Sequence, residues 1–160
     1  MMPACVVAVR SLNSVAVNNT LVMDNQLSPS PSKPVLLVVA GVIEKDGKVL
    51  LAQRFEHASQ GGLWEFPGGK VEVGETPEQA LHRELQEELA IESVTGRFLA
   101  DSVFDYGDKL IHLKGYVSHW QSGELILHSH QQALWVTLDK ISDFSLCPAD
   151  YPIVDALLAK

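Results

Sequence analysis

Hydrophobic positions in the first part of the chain follow the pattern of β-strands. Residues 35–43 form a nearly continuous apolar run, which is typical of a strand covered on both faces. The Asp-Gly pair at 46–47 separates this run from a second one at 49–53, and together they predict a β-hairpin. Three later segments are also predicted as strands: residues 93–104, 110–120 and 134–137.

Between these strands the spacing changes to that of a helix. Leucines at i, i+4 and i+8 form a narrow stripe that predicts a helix packed on one side: Leu81, Leu85 and Leu89. The helix is expected to begin at Thr76, because Pro77 and Gln79 complete a capping-box pattern. Apolar residues at helical spacing predict a second helix over 151–159. The alternation predicts an α/β fold, a mixed sheet flanked by helices.

The first helix also carries a cluster of carboxylates. Glu84, Glu87 and Glu88 lie within little more than one turn, so all three project from one face. Like charges at this spacing cost roughly 0.2–0.5 kcal/mol per pair, and Arg83 offsets only part of that. A hard cation such as Mg²⁺, held by carboxylates and substrate phosphates, suits the cluster. A solvated acidic helix face is the alternative.

The glutamates belong to a longer motif that resembles the signature of the Nudix hydrolases. That signature is Gly, five residues, Glu, seven residues, then Arg-Glu, an aliphatic residue, any residue, Glu-Glu, any residue, Gly and an aliphatic residue. It is matched by Gly69, Glu75, Arg83, Glu84, Leu85, Glu87, Glu88 and Ile91. The chain departs from it at Ala90, where the family has glycine. Alanine in the left-handed conformation of a helix end costs about 1 kcal/mol, so we expect altered local geometry there.

The resemblance implies a Nudix-type α/β/α sandwich and a role for each residue of the motif. Glu84, Glu87 and Glu88 would hold Mg²⁺, with Mn²⁺ as a substitute, and the carbonyl of Gly68 would be a further ligand. Glu84 or Glu88 would also orient or deprotonate the attacking water. Glu75 would assist the metal site from outside, and Arg83 would orient the glutamates.

A further acidic ligand of the family comes from a later loop, and this chain has Ser129 at the corresponding position. The resemblance therefore implies either fewer metal ions or a substitute ligand from His128, Gln131 or Gln132. His128 and His130 alternate as on a strand, but no cysteine or third histidine lies near them at zinc spacing. We interpret both histidines as surface residues.

The residues 63–72 are similar to the MutT-like branch of the family, which cleaves nucleoside triphosphates to a monophosphate and pyrophosphate. Candidate phosphate or nucleotide contacts are Arg54, Lys70 and Lys109, and each has the alternative of an ordinary surface cation. Phe66 and Tyr106 are candidates for lining the base pocket. Asp150 lies where the branch places a base-reading residue, and it is equally suited to capping the last helix.

A carboxylate at this position accepts hydrogen bonds, so it would select guanine, oxidised guanine or cytosine. Two substrate classes therefore stay open: 8-oxo-dGTP-like and CTP- or dCTP-like nucleotides. The resemblance implies nucleotide-pool sanitation as the role. Hydrolysis of another nucleoside diphosphate derivative is a second hypothesis, and a non-catalytic module that senses nucleotides is a third.

Composition favours one compact enzyme domain. The 160 residues are 46% hydrophobic, which is ample for one core, and we assign residues 34–160 to it. Residues 1–33 are rich in Ser, Asn, Val and Pro and are interpreted as a poorly ordered extension and linker. The net charge of −8 argues against direct nucleic-acid binding. The two cysteines lie far apart, which favours a reducing, cytoplasmic compartment. The lack of a long apolar stretch predicts that the protein binds no membrane. We expect a monomer or a homodimer.

Overall fold

The structure is a computed structural model that describes residues 32–159. The predicted extension falls almost entirely outside these residues, so the domain boundary remains a prediction. The elements are β1 Val35–Lys45, β2 Lys48–Arg54, β3 Trp64–Glu65, β4 Gly68–Lys70, α1 Pro77–Leu89, β5 Ile91–Asp105, β6 Leu110–Gly123, β7 His130–Thr137 and α2 Tyr151–Leu158. Two short 3₁₀ segments, Leu138–Asp143 and Pro148–Asp150, precede α2. No helix among the described residues is long and apolar enough to cross a bilayer.

The predicted hairpin is confirmed. β1 and β2 run antiparallel, and Lys45 pairs with Lys48. The two residues between them, Asp46 and Gly47, have φ angles of 51° and 74°. Positive φ at both central positions is what a two-residue turn of this twist requires, and Asp-Gly adopts it readily.

The predicted mixed sheet is also confirmed. β1 pairs in parallel with β6 and antiparallel with β2 and β4, while β5 lies antiparallel to β6. β2 pairs in addition with β3 and β7, both antiparallel. The strands β3 and β4 were not predicted, because two or three residues are too few to form a hydrophobic pattern.

Hydrophobic residues pack on both faces of β1, as the continuous apolar run predicts. Val39 and Ile43 are fully buried against the three leucines of α1. Ala40 and Val42 point to the other face, where they belong to the same cluster as Ile153 of α2. Because side chains alternate along a strand, these two sets define two separate cores. The result is a sheet between two helical layers.

Helix α1 begins at the predicted capping box, but its C-terminal end differs from the prediction. The Thr76 side chain accepts from the Gln79 amide and the Gln79 side chain accepts from the Thr76 amide, which completes the capping box. Ala90 adopts the left-handed conformation, with φ 56° and ψ 29°. The expectation of altered geometry is therefore wrong. The chain keeps the conformation that glycine favours, at a cost of about 1–2 kcal/mol.

Candidate functional site

One cavity of about 480 Å³ gathers the predicted site residues. Every predicted catalytic, ligating or substrate-binding residue except Glu75 lines it: Arg54, Phe66, Gly68, Lys70, Arg83, Glu84, Glu87, Glu88, Tyr106, Lys109 and Asp150. Apolar residues of β1 and β6, among them Leu36, Val38 and Ile111, complete the wall. The cavity therefore combines acidic, basic and apolar side chains, as a binding site for a charged ligand with a ring requires.

The glutamates of α1 lie against the glycines of β4. The Gly68 amide donates to Oε2 of Glu88 at 3.3 Å. At Gly69, an added Cβ would come within 2.3 Å of the Glu84 carboxyl carbon. Any other residue at position 69 would displace that carboxylate. The Gly-Gly pair thus lets the helix carboxylates approach the strand backbone.

Arg83 ties this part of the site together. Its Nε and Nη2 donate to the two oxygens of Glu75 at 2.6 and 2.9 Å. Nη1 donates to Glu84 at 2.8 Å and to Glu87 at 3.3 Å, and Nη2 also reaches the Lys70 carbonyl at 3.0 Å. The hydrogen bonds from Arg83 lower the pKa of Glu75 to about 2. Glu75 lies outside the cavity wall but fixes the guanidinium that contacts two of the glutamates.

Glu88 differs from its two neighbours because it forms no ion pair with any described residue. Burial raises the pKa of Glu88 to about 7, the charge of His130 opposes this, and the charges of Glu65 and Glu84 add to it. A half-buried carboxylate that lacks a cationic partner is the donor that a bound cation would stabilise.

The donor chemistry around the cavity fits a hard divalent cation. Three carboxylates and a glycine turn offer only oxygen ligands, which Mg²⁺ prefers. Among residues 32–159, however, no three His, Cys, Asp or Glu side chains are arranged as a ready metal-binding group. Glu84 and Glu87 contact Arg83 instead. The residues present fit the ion by their chemistry.

The three basic candidates differ in their contacts. Arg54 donates from Nη1 to both oxygens of Glu65 at 3.0 Å and from Nε to the Ser59 carbonyl at 2.6 Å. Its Nη2 has no hydrogen-bond partner in the described part of the chain. Lys70 is exposed, and Lys109 makes one long contact of 3.8 Å with Asp108. Each therefore retains donors for a ligand in the cavity.

Two of the three base-pocket candidates are buried, and the third, Tyr106, is half-buried. Phe66 is 2% exposed and Asp150 5%. The Phe66 amide donates to Oδ1 of Asp150 at 2.9 Å, and the Asp150 side chain makes no capping hydrogen bond to α2. The alternative of a helix cap is therefore wrong, because the carboxylate turns inward to Phe66, between β3 and β4. Burial, reinforced by the charge of Glu65, raises the pKa of Asp150 well above its ordinary value. Tyr106 accepts from the Ala149 amide through its hydroxyl, at 3.4 Å.

The structure does not bring the later loop into the cavity wall. Ser129 and the three candidate substitutes, His128, Gln131 and Gln132, are exposed and line no part of it. The interpretation of His130 as a surface residue is wrong. It is 4% exposed, and its Nε2 lies 2.8 Å from Oε1 of Glu65.

Two hydrogen-bonded residues that the sequence did not assign to the site are Glu65 in the cavity wall and His130 behind it. Glu65 lines the cavity and contacts Arg54, His130 and, at 3.7 Å, the thiol of Cys147. The buried Cys147 lines the cavity as well, and burial, ahead of the charge of Glu65, raises the pKa of its thiol. The alternation of His128 and His130 was the available signal. It did not show which histidine points inward.

Comparison with known proteins agrees with the fold and the motif. The family model described as NUDIX domain matches residues 33–157. The chain belongs to the Nudix family and is a Nudix hydrolase.

Its relatives include enzymes that act on nucleoside triphosphates. A CTP pyrophosphohydrolase of Escherichia coli (strain K12) is 44% identical over 122 residues, which cover 76% of this chain and 90% of that protein. An 8-oxo-dGTP diphosphatase of Haemophilus influenzae is 35% identical over 127 residues, covering 79% and 93%.

Solved structures of similar proteins have the same fold. The crystal structure of a MutT protein from Methanosarcina mazei Go1 has a TM-score of 0.73 and 27% identity, covering 81% of this chain and 97% of that one. The solution structure of a MutT protein from Staphylococcus aureus has a TM-score of 0.67 and 33% identity, covering 79% and 98%. Both support the assignment of the sheet and helices to the Nudix sandwich.

Proposed function

We propose that this protein hydrolyses nucleoside triphosphates to a nucleoside monophosphate and pyrophosphate, with Mg²⁺ as the cofactor. The observation that carries the proposal is one cavity that brings together the three carboxylates of α1, several basic side chains and the buried pair of Phe66 and Asp150. These are the groups needed for a metal ion, a polyphosphate and a base. The similarity to a CTP pyrophosphohydrolase and to 8-oxo-dGTP diphosphatases supports the same class of substrate.

Glu84, Glu87, Glu88 and the carbonyl of Gly68 are the proposed ligands of the ion, for which Mn²⁺ is a substitute. When bound, a divalent cation lowers the pKa of coordinated water and neutralises charge that develops on the leaving oxygens. Without it the protein, with its net charge of −8, would repel a triphosphate. Arg83 keeps Glu84 and Glu87 on the cavity side of α1 through its hydrogen bonds.

The proton of the attacking water needs an acceptor, and we propose Glu88 for this role, with Glu84 as the alternative. Glu88 is half-buried, lines the cavity, and has one oxygen held by the Gly68 amide. A general base has to lie within hydrogen-bond reach of the proton that it accepts. The water oxygen bonds to one of the two phosphorus atoms that flank the α–β bridge, and its proton passes to the carboxylate. The bond from that phosphorus to the bridging oxygen breaks, and the oxygen leaves with the other phosphate group, which gives a monophosphate and pyrophosphate.

Arg54, Lys70 and Lys109 are the proposed contacts for the phosphates. Arg54 contributes the free Nη2, since its other donors are occupied within the protein. Positioning and electrostatic stabilisation supply most of the catalysis in phosphoryl transfer. These side chains would hold the triphosphate in line with the water.

Asp150 and Phe66 are the proposed contacts for the base, together with Tyr106. One oxygen of Asp150 is held by the Phe66 amide, so its geometry relative to the aromatic ring is fixed. Guanine, oxidised guanine and cytosine present donors to such a group. Removal of damaged or modified nucleotides from the precursor pool is the role we propose for the activity.

Product analysis tests this function directly. The purified protein is incubated with Mg²⁺ and, separately, with GTP, dGTP, 8-oxo-dGTP, CTP, dCTP, a dinucleotide and ADP-ribose. We expect pyrophosphate and a monophosphate from at least one triphosphate, and none after chelation of the metal. Turnover only of the dinucleotide or ADP-ribose would assign a different Nudix substrate. Binding of nucleotides without any turnover would make the protein a sensor.

A further inference from the structure

Arg54, Glu65 and His130 form a row of hydrogen-bonded side chains that runs from the core to the cavity. The exposed fraction of the side chain rises from 2% at His130 to 15% at Glu65 and 31% at Arg54. His130 is thus the inner member of the row. Arg54 is the member whose guanidinium meets the ligand space.

A break in the strand register places the three side chains on the same face. Along β2 and β7, Gln53 pairs with Gln132, but Arg54 pairs with His130, so Gln131 is an extra residue in β7. Such a bulge re-aims the side chains on one side of it. Glu65 pairs with Ala52, two residues before Arg54, and therefore shares that face. The bulge brings His130 opposite Arg54, within reach of Glu65.

Both oxygens of Glu65 are occupied by protein donors. Oε1 accepts from Nε2 of His130 at 2.8 Å and from Nη1 of Arg54 at 3.0 Å, and Oε2 accepts from the same Arg54 nitrogen at 3.0 Å. The other ring nitrogen of His130, Nδ1, is buried without a hydrogen-bond partner among the described residues. A buried nitrogen without a partner lowers the stability of the fold, so stability alone does not explain a histidine at this position. What the buried ring contributes is the hydrogen bond from Nε2 to Glu65.

We propose that His130 is a positioning residue for substrate binding, which holds Glu65 so that Arg54 presents its free Nη2 to the triphosphate. Glu65 lines the cavity, and its two partners hold the carboxylate at the wall, whereas an unpaired carboxylate directed at the ligand would repel the phosphates. Without His130, the ion pair of Glu65 and Arg54 can move as a unit, since the Ser59 carbonyl then holds only the Arg54 Nε. This inference rests on the proposed function, because it assigns Arg54 to the triphosphate.

Steady-state kinetics of three variants test the inference with the triphosphate that the wild-type protein turns over best. His130→Leu removes the donor and substitutes an apolar side chain of similar size. We expect KM to rise roughly tenfold and kcat to stay within about twofold of the wild-type value. His130→Gln offers an N–H in place of Nε2 and should restore KM to within about threefold of the wild-type value. His119→Leu, an exposed histidine outside the cavity wall, is the matched control and should change neither constant.

A double-mutant cycle shows whether His130 acts through Glu65. In the Glu65→Leu background, His130→Leu should change KM by less than about twofold, since the carboxylate that His130 orients is absent. Equal effects of His130→Leu in both backgrounds would overturn the inference. So would a folded leucine variant with the wild-type KM, because a purely structural histidine would lower only the melting temperature.

Two further outcomes are distinguishable. Should His130→Leu not fold, His130→Asn withdraws the donor from Glu65 with a shorter polar side chain, and the same rise in KM is expected. A wild-type protein that hydrolyses no triphosphate overturns the proposed function before the variants are compared. An active wild-type protein with insensitive variants overturns the His130 inference alone.

Discussion

The Phe66 amide donates to Oδ1 of Asp150 at 2.9 Å, a contact between residues 84 positions apart in the chain. It joins the segment between β3 and β4 to the segment before α2, and both residues line the cavity. The hydrogen bond holds the buried carboxylate against the Phe66 backbone. The proposed role of Asp150 in base reading can be tested separately from its effect on stability.

Asp150→Ala is expected to change base preference more than phosphate chemistry. The substitution removes the acceptor, so the ratio of kcat/KM between guanine-type and cytosine triphosphates should change by roughly tenfold or more. The products should still be pyrophosphate and a monophosphate, since no glutamate of α1 is altered. Kinetics on the nucleotide panel make the measurement. An equal loss for every base would mean that Asp150 acts only by holding Phe66.

Asp150 also predicts how stability depends on pH. Its pKa is raised in the folded state, chiefly by burial, so the folded protein retains the proton to a higher pH than the unfolded chain. The resulting stability is fully present below about pH 4, the unfolded pKa, and is lost as the pH rises through the raised value. Between the unfolded and the folded pKa, the free energy of unfolding falls by about 1.4 kcal/mol per pH unit.

Asp150→Asn isolates this contribution, because the amide still accepts from Phe66 and does not ionise. The free energy of unfolding of the variant, relative to the wild-type protein, should rise as the pH increases from about pH 4 through the raised pKa of Asp150. Urea denaturation at several pH values, without metal, measures the difference. Parallel curves for the two proteins would contradict the raised pKa.

The fold was largely predictable from the sequence because its main signals are local. The apolar run of β1, the Asp-Gly turn and the leucine stripe of α1 each lie within a dozen residues. The first half of β7 was not predicted, because His130, Gln131 and Gln132 interrupt its hydrophobic pattern. There the strand forms through pairing with β2, a partner far away in the chain.

The part of the site that comes from neighbouring residues was predictable, and the part that depends on distant contacts was not. Helical spacing placed the three glutamates of α1 on one face, and the resemblance to the Nudix signature implied that the glycines before them belong to the same site. The contact between His130 and Glu65 joins residues 65 positions apart and depends on a strand bulge. No periodicity reports such a contact. Asp150 shows the same limit, since its choice between a cap and Phe66 is decided by tertiary packing.

Glu84→Gln and Glu88→Gln are each expected to lower kcat by roughly a hundredfold or more while the protein stays folded. Each change removes a charge from the cavity and no packing group. The rise in melting temperature on adding Mg²⁺ should also shrink, because an ion that binds more weakly stabilises less. Glu78→Gln, an exposed residue in the first turn of the same helix, is the control and should leave both quantities unchanged. Near-normal turnover by both cavity variants would contradict the metal assignment.

The end of α1 predicts a stabilising substitution. Ala90 has φ 56°, where alanine is strained by about 1–2 kcal/mol and glycine is not. Glycine also makes the unfolded chain more flexible than alanine does, which destabilises the folded protein by about 0.4–1 kcal/mol. The relief of strain exceeds this loss, so Ala90→Gly should stabilise the protein by about 0.5–1 kcal/mol net. Ala159→Gly is the matched control, because Ala159 caps α2 with φ −77° and glycine relieves no strain there. Urea denaturation should show a gain for the first variant and a small loss for the second. Equal losses would mean that Ala90 does not hold the left-handed conformation in solution.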